Sequence, residues 1–216
     1  SSSGFTFQIR SVPLLVSTLA DTDPDVRAMA AFALGLIGEG SAEAALVPLL
    51  TDVSPSVRGR AAEALGLIGA KGAAAAIGQM VAEYARSAAV AAMSSDRGAA
   101  VAALQPTEEV APIAPEAEAF RLGLFALVRL KAYDSIAGAV LTGSQPVTQL
   151  VTTWWPVAYA LQRVEDPRAA PALLQLLAAN GRFTRAFAAR GLGTLKDATA
   201  VKPLVALLEP AAKAGL

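Results

Sequence analysis

A repeat of 31 residues constrains this chain more than any other feature. The stretch PDVRAMAAFALGLIG at residues 24–38 returns as PSVRGRAAEALGLIG at residues 55–69, with 11 of 15 positions identical. Self-similarity with a period of about 20 to 50 residues is typical of solenoids, in which each unit covers its apolar face only with its neighbours. The sequence therefore predicts a stack of similar units.

The first copy of the repeat has the periodicity of an amphipathic helix. Val26, Ala30, Ala33, Leu34 and Ile37 form one apolar stripe on that helix and are predicted to face the core. Pro24 suits a first helical position, where a missing N–H costs nothing, and Asp23 before it can cap the helix. Gly38 is suited to end the helix. A second amphipathic segment precedes each copy, because residues 15–19 match residues 46–50. Each unit is thus predicted to be a helical hairpin.

The whole chain is accordingly predicted to be all-α, an α-solenoid of about five helical hairpins plus a trailing helix. Residues 73–93 are expected to form an elongated first helix of the third hairpin. Residues 94–115 combine three prolines with acidic side chains and are predicted to be an insertion loop. The predicted hairpins are 10–38, 42–70, 73–131, 135–165 and 167–196, followed by a helix at 198–209.

The repeat pattern, D-x-x-P-x-V-R-x-x-A-A-x-A-L-G-x-I-G, resembles the HEAT repeats, especially the short bacterial type first described in phycobilisome lyases. The resemblance implies that Asp21 with Arg27, and Asp52 with Arg58, form a ladder of charged side chains between stacked repeats. Arg185 occupies the ladder column in the fifth hairpin. These charges are therefore interpreted as structural rather than catalytic.

Two C-terminal segments carry a second resemblance. WWPVAYALQRVEDPRAAPALLQLL and GRFTRAFAARGLGTLKD are similar to bacterial chains in which a HEAT array accompanies a cyclophilin-type prolyl isomerase domain. The isomerase is not within these 216 residues, so the resemblance implies a fused domain outside them. An accessory array of a prolyl isomerase or of a chromophore lyase is one hypothesis that these resemblances leave open.

The composition limits the kinds of catalytic and metal-binding site that this chain can form, because it contains no Cys and no His. Catalysis by either side chain and His-bearing metal sites are thereby excluded. No cofactor or metal is expected, and Asp21, Asp23 and Asp25 are interpreted as ladder, cap and turn residues.

Eighteen basic and 18 acidic residues cancel, which argues against a general nucleic-acid binder. Residues 1–118 carry 7 basic and 13 acidic side chains and residues 119–216 carry 11 and 5, so the basic half suits an acidic partner.

A strip on the second helices holds the candidate binding residues. In the HEAT family these helices line the concave face, so their residues outside the core stripe are the candidates. The predicted binding residues are Phe32, Phe125, Arg129, Trp155, Tyr159, Arg163 and Arg190. Aromatic side chains and Arg are enriched at interface hot spots, which favours binding of a protein or of an acidic or extended peptide. The alternative is that these side chains pack between repeats or face water.

The two tryptophans raise an enzyme alternative. Trp154 falls in the ladder column and is expected to stack between units in place of the charges, whereas Trp155 is more open to a ligand. HEAT-like DNA glycosylases use an aromatic pocket and a carboxylate, for which Glu165 is the candidate. The zero net charge argues against this alternative. The main prediction is a non-catalytic scaffold that binds a partner on its concave face.

Two sequence features bear on whether the protein enters a membrane and on whether it belongs to a longer chain. Residues 135–162 are uncharged, but prolines and glutamines interrupt them, so they are interpreted as solenoid and not as a membrane span. The trailing half unit would leave apolar surface exposed at the end of a solenoid. The 216 residues are therefore expected to be one HEAT-repeat domain from a longer, soluble chain, with cytoplasm and periplasm both open as its compartment.

Overall fold

The computed structural model describes residues 11–93, 113–142 and 149–208. These ranges are built from α-helices joined by short turns, with one two-residue strand pair after the eighth helix, where β1 (Leu141–Thr142) pairs antiparallel with β2 (Gln149–Leu150). The all-α fold predicted from the sequence is confirmed. The helices are α1 (11–18), α2 (Pro24–Ile37), α3 (Glu43–Leu46), α4 (Pro55–Ile68), α5 (Ala74–Ala85), α6 (Ala88–Met93), α7 (Pro115–Leu130), α8 (Tyr133–Val140), α9 (Trp155–Val164), α10 (Ala170–Leu177), α11 (Arg182–Leu195) and α12 (Val201–Leu208).

The helices form five hairpins and a trailing helix, as predicted. The second helices of the hairpins are α2, α4, α7, α9 and α11, and each packs on the next along the chain. The first helices form a second layer, in which α5 packs on α8. Short 3₁₀ turns precede or extend several first helices, at Gly40–Ala42, Val47–Thr51, Lys71–Ala73, Pro167–Ala169 and Ala198–Ala200. The core lies between the two layers.

Small residues let the second helices approach closely. A Cβ atom on Gly35 of α2 would lie 2.6 Å from the Cα of Ala64 on α4. A Cβ atom on Gly66 of α4 would lie 2.7 Å from the Cα of Ala126 on α7. These backbone contacts leave no room for a side chain, so the glycines of the GLIG segments set the spacing of the repeats.

Among the described helices, a glycine ends the second helix only in the first two hairpins, and the predicted cap forms at Asp23 but not at its equivalent Ser54. The side chain of Asp23 accepts a hydrogen bond from the N–H of Asp25 at 2.8 Å and caps α2. Gly38 ends α2 in the left-handed conformation, with a φ of 77°. Later hairpins end on residues that tolerate this conformation less well. Within the described ranges these are Lys131, Glu165 and Lys196, with φ between 54° and 57°.

Two predicted boundaries were wrong. The segment 73–93 is not one helix, because Arg86 leaves helical geometry and the hydroxyl of Ser87 accepts the N–H of Val90, starting α6. Pro115 does not end the predicted loop but occupies the first turn of α7, the position that proline favours. Residues 94–112 of the predicted insertion loop lie outside the described residues.

The buried face of the second helices is wider than the predicted stripe. Val26 was assigned to the core, but it is 38% exposed, whereas its equivalent Val57 is fully buried. The reason is that α4 packs between α2 and α7, while α2 has a second-helix neighbour on one side only among the described residues. Ala28 and Ala31, outside the predicted stripe, are buried because α4 covers them.

Candidate partner-binding surface

The ladder joins each of the first repeats to the next one. Arg27 donates from Nε and Nη2 to the two carboxylate oxygens of Asp52, at 2.9 and 2.8 Å. Both side chains are nearly buried. Arg27 also donates from Nη1 to the backbone carbonyl of Asp21 at 2.8 Å. Burial alone would raise the pKa of Asp52, but the hydrogen bonds from Arg27 and from the N–H of Ser54 hold that pKa below its ordinary value.

The second rung uses a glutamate that the repeat pattern did not identify. Arg58 lies 3.0 Å from both carboxylate oxygens of Glu83, which is 25 residues further on, as Asp52 is from Arg27. Arg58 also donates to the backbone carbonyl of Asp52. The ladder pair expected between the side chains of Asp52 and Arg58 is therefore not formed, because Arg27 holds the Asp52 carboxylate and Arg58 reaches only the Asp52 backbone carbonyl.

Aromatic stacking occupies the ladder column in the third and fourth hairpins. The rings of Phe120 and Trp154 lie 5.8 Å apart at an angle of 20°. Both side chains are almost fully buried, and they connect α7 to the start of α9. In the fifth hairpin Arg185 forms no ion pair with any described residue. The position 25 residues beyond it, 210, lies outside the described ranges.

Four aromatic side chains from three successive second helices meet on the face beside this stack. Phe125 of α7 contacts Tyr159 and Trp155 of α9, with ring centroids 5.2 and 6.3 Å away. Phe187 of α11 lies 5.6 Å from Tyr159 and 6.0 Å from Trp155. All four rings are half-buried. The structure thus brings together three of the predicted binding aromatics and adds Phe187, which shares a repeat column with Met29.

Three cations stand beside this aromatic cluster. Arg129 lies in the last turn of α7, Lys131 follows that helix, and Arg163 lies in the last turn of α9. Together with Phe125 and Tyr159 they line a cleft of 330 Å³. All three cations are exposed, and none forms a salt bridge or a side-chain hydrogen bond within the described part of the chain. We call this set, the four aromatic rings with the three cations, the aromatic–cationic surface.

The remaining predicted binding residues lie apart from the cleft. Phe32 is on α2, and the whole of α4 separates it from α7. The guanidinium of Arg60 lies 5.0 Å from the Phe32 ring centre and pairs with Glu63 at 2.7 Å. Arg190 is exposed on α11, outside the residues that line the cleft. The predicted strip is therefore two surfaces, one with its charges already paired and one with free cations.

The glycosylase arrangement is not assembled in the described structure. Trp155 opens α9 and Glu165 follows its last residue, which places them about 15 Å apart along the helix axis. Trp154 is 1% exposed and cannot stack on a base. Its indole N–H and that of Trp155 have no hydrogen-bond partner among the described residues. The aromatic pocket and the carboxylate that this chemistry requires do not meet here.

The described ranges contain neither a metal site nor a membrane span. No group of three or more Asp and Glu side chains in these ranges has the geometry to hold a metal ion. No helix there has both the length and the apolar character needed to cross a membrane.

Solved structures with similar backbones include natural and engineered proteins. The complex of CpcE and CpcF of phycocyanin lyase from Nostoc sp. PCC7120 matches 92% of this chain and 71% of its own, with 23% identity and a TM-score of 0.46. An engineered protein matches 93% of this chain and 90% of its own, with 22% identity and a TM-score of 0.48. These values are too low to support an argument about function, and no curated protein matches the chain.

Family models identify the repeats directly. The model described as HEAT repeats matches residues 12–94, and the model described as PBS lyase HEAT-like repeat matches residues 157–179 and 184–210. The two models together cover more than half of the 216 residues, and their matches fall on the hairpins described above. The chain therefore belongs to the HEAT-repeat family.

Proposed function

We propose that the chain is a non-catalytic scaffold that binds an acidic, extended segment of a partner protein on the aromatic–cationic surface. The observation that carries the proposal is the cleft in which Arg129, Lys131 and Arg163, unpaired among the described residues, stand beside Phe125 and Tyr159. The other arginines of α4 and α7 are matched by a carboxylate, Arg58 by Glu83, Arg60 by Glu63 and Arg121 by Glu118. Free cations beside a half-buried aromatic floor favour a negatively charged ligand.

The aromatic cluster suits such a ligand because its rings are already held in place. Tyr159 contacts rings on both sides, at 5.2 Å from Phe125 and 5.6 Å from Phe187, in edge-to-face arrangements. Rings fixed by their neighbours lose little conformational entropy when a ligand binds, so more of the contact energy appears as affinity. The rings also pack between repeats, as the alternative interpretation held, so the proposal rests on the cations grouped beside them.

Charge reversal at the cleft tests the proposal. The double variant Arg129→Glu and Arg163→Glu changes two exposed side chains and no core residue. We expect it to retain partner proteins about tenfold less well than the wild type in a quantitative pull-down from the native source at low salt. Binding by the wild type should also weaken as salt rises, because exposed charges are screened.

A matched double reversal provides the control. Lys71 and Lys202 are exposed and do not line the cleft; they lie before α5 and on α12. The variant Lys71→Glu and Lys202→Glu should keep the partners of the wild type, and both double variants should keep its melting temperature. Equal retention of the same partners by the wild type and the cleft variant would contradict the proposal.

A further inference from the structure

A second depression lies on the same face, at the opposite end of α7. Four buried small or apolar residues from three helices form its floor: Ala28, Gly59, Ala119 and Leu122. The depression has a volume of 250 Å³. At its floor α4 and α7 approach so closely that a Cβ on Gly59 would lie 2.9 Å from the Cα of Ala119. We call it the notch.

The notch has one charged side chain on its rim without a partner among the described residues, and it is an aspartate. Asp25 stands on its rim, exposed, and its carboxylate forms no bond to any described residue. The other charged side chains of the rim are paired. Arg60 forms a salt bridge with Glu63, and the carboxylate of Glu118 accepts two hydrogen bonds from Arg121, at 2.8 and 2.6 Å. An apolar floor below one free carboxylate suits a long basic side chain, whose stem is apolar and whose tip is charged.

One face of α7 connects the notch to the cleft. Glu118 and Leu122 line the notch, and Phe125 and Arg129 line the cleft, so the two depressions follow each other along a single helical stripe. Glu118 and Arg129 are eleven positions apart, or about 16 Å along the axis. An extended chain covers that distance with about five residues.

We propose that the partner segment is bipolar: it lies extended along α7, with a basic side chain in the notch and an acidic side chain in the cleft, about five residues apart. This inference rests on the proposed function and adds the charge order of the ligand. The extended form keeps the ligand short, because about five extended residues span the roughly 16 Å between Glu118 and Arg129, whereas a helix would need about eleven.

Selection from a random library of twelve-residue displayed peptides tests the charge order. On the wild type, enriched peptides should carry a basic and an acidic residue four to six positions apart. On Asp25→Asn the basic residue should no longer be selected, and on Arg129→Gln with Arg163→Gln the acidic residue should no longer be selected. Asp25→Asn should also lower the affinity of a peptide enriched on the wild type by about 2- to 5-fold at low salt.

The variant Glu43→Gln is the matched control, because it makes the same change of charge on the first-helix layer and should alter neither selection nor affinity. Peptides enriched in acidic residues alone would overturn the bipolar order and leave the proposed function standing. A separation of about ten positions would indicate a bound helix and overturn the extended form. Enrichment with no charge preference would contradict both proposals.

Discussion

The first two hairpins and the two that follow connect their repeats through the same sequence column with different chemistry. Arg27 reaches Asp52 and Arg58 reaches Glu83 by charged hydrogen bonds. In the later pair, the column instead holds Phe120 and Trp154, whose rings stack. This position of the repeat therefore holds a side chain that contacts the neighbouring repeat, either through an ion pair or through a stacked ring. A charged rung depends on pH and on its partner carboxylate, whereas a stacked rung depends on packing alone.

The second helices of the first and the later hairpins also differ in how the arginines on their exposed face are paired. On α4 the arginine of the outer face is paired and lies against Phe32. Arg129 of α7 and Arg163 of α9 have no ion-pair partner among the described residues and stand beside aromatic rings that pack on one another. The arginines of α2 and α4 are therefore paired within the repeats, and those of the cleft are not.

The largest effect is expected from the stacked rung. Trp154→Ala should lower the free energy of unfolding by about 3 to 5 kcal/mol, because it removes a fully buried ring and leaves a cavity beside Phe120. Trp154→Phe should recover most of that loss, since a ring can still stack. Urea unfolding followed by circular dichroism measures both values.

Trp155→Ala is the neighbouring control for this rung. Trp155 is half-buried and belongs to the aromatic–cationic surface, so its loss should cost less stability than that of Trp154. Equal losses at the two positions would show that the stack at Trp154 has no special place in joining the repeats.

The charged rungs should contribute less, and unequally. Asp52→Ala should cost about 1 to 3 kcal/mol, because the Asp52 side chain is only 10% exposed and its loss leaves Arg27 without its carboxylate. Glu83→Ala removes the same kind of partner from Arg58, but Glu83 is 63% exposed, so the cost should be below about 0.5 kcal/mol. Thermal unfolding of the two variants side by side would contradict this account if Glu83→Ala were the more damaging change.

Lowering the pH should weaken the charged rung at Asp52 but not the stacked rung, and this is expected to be the smallest of the effects on stability. The pKa of Asp52 is lowered in the folded protein, so its contribution is present above the unfolded value of about 3.9 and is lost as pH falls through the folded value. Asp52→Asn should therefore flatten the loss of stability measured by urea unfolding between about pH 5 and about pH 2. Asp166 and Asp197, whose pKa values are also lowered, should leave a residual slope. An unchanged slope would show that the Asp52 rung does not respond to acid.

The repeat pattern was enough to predict the hairpins, because core spacing and helix signals are local. The partner of each ladder arginine could not be read from it, since Asp52 is close to Arg58 in sequence but its carboxylate binds Arg27 of the preceding repeat. Gly38 signalled a left-handed helix end, whereas Lys131 in the same role carried no local signal. Helix ends of that kind are imposed by packing and not by residue preference.

The binding surface was only partly predictable for the same reason. Helical spacing placed Tyr159 and Arg163 on one face of α9. It could not show that Phe187 would complete the cluster from α11, because that contact depends on how closely the second helices pack. Nor could it show that Arg60 would be matched by Glu63 while Arg129 stays free within the described residues.

If the ligand binds at the aromatic–cationic surface, the emission of Trp155 should report its binding directly. The variant Trp154→Phe leaves Trp155 as the sole tryptophan, on the face that the ligand should cover. Titration with a display-selected peptide should change Trp155 emission saturably, with the same dissociation constant that calorimetry gives, and both signals should be lost in the variant that also carries Arg129→Glu and Arg163→Glu. Saturable heat of binding with unchanged Trp155 emission and no effect of the charge reversals would place the ligand elsewhere and contradict the account.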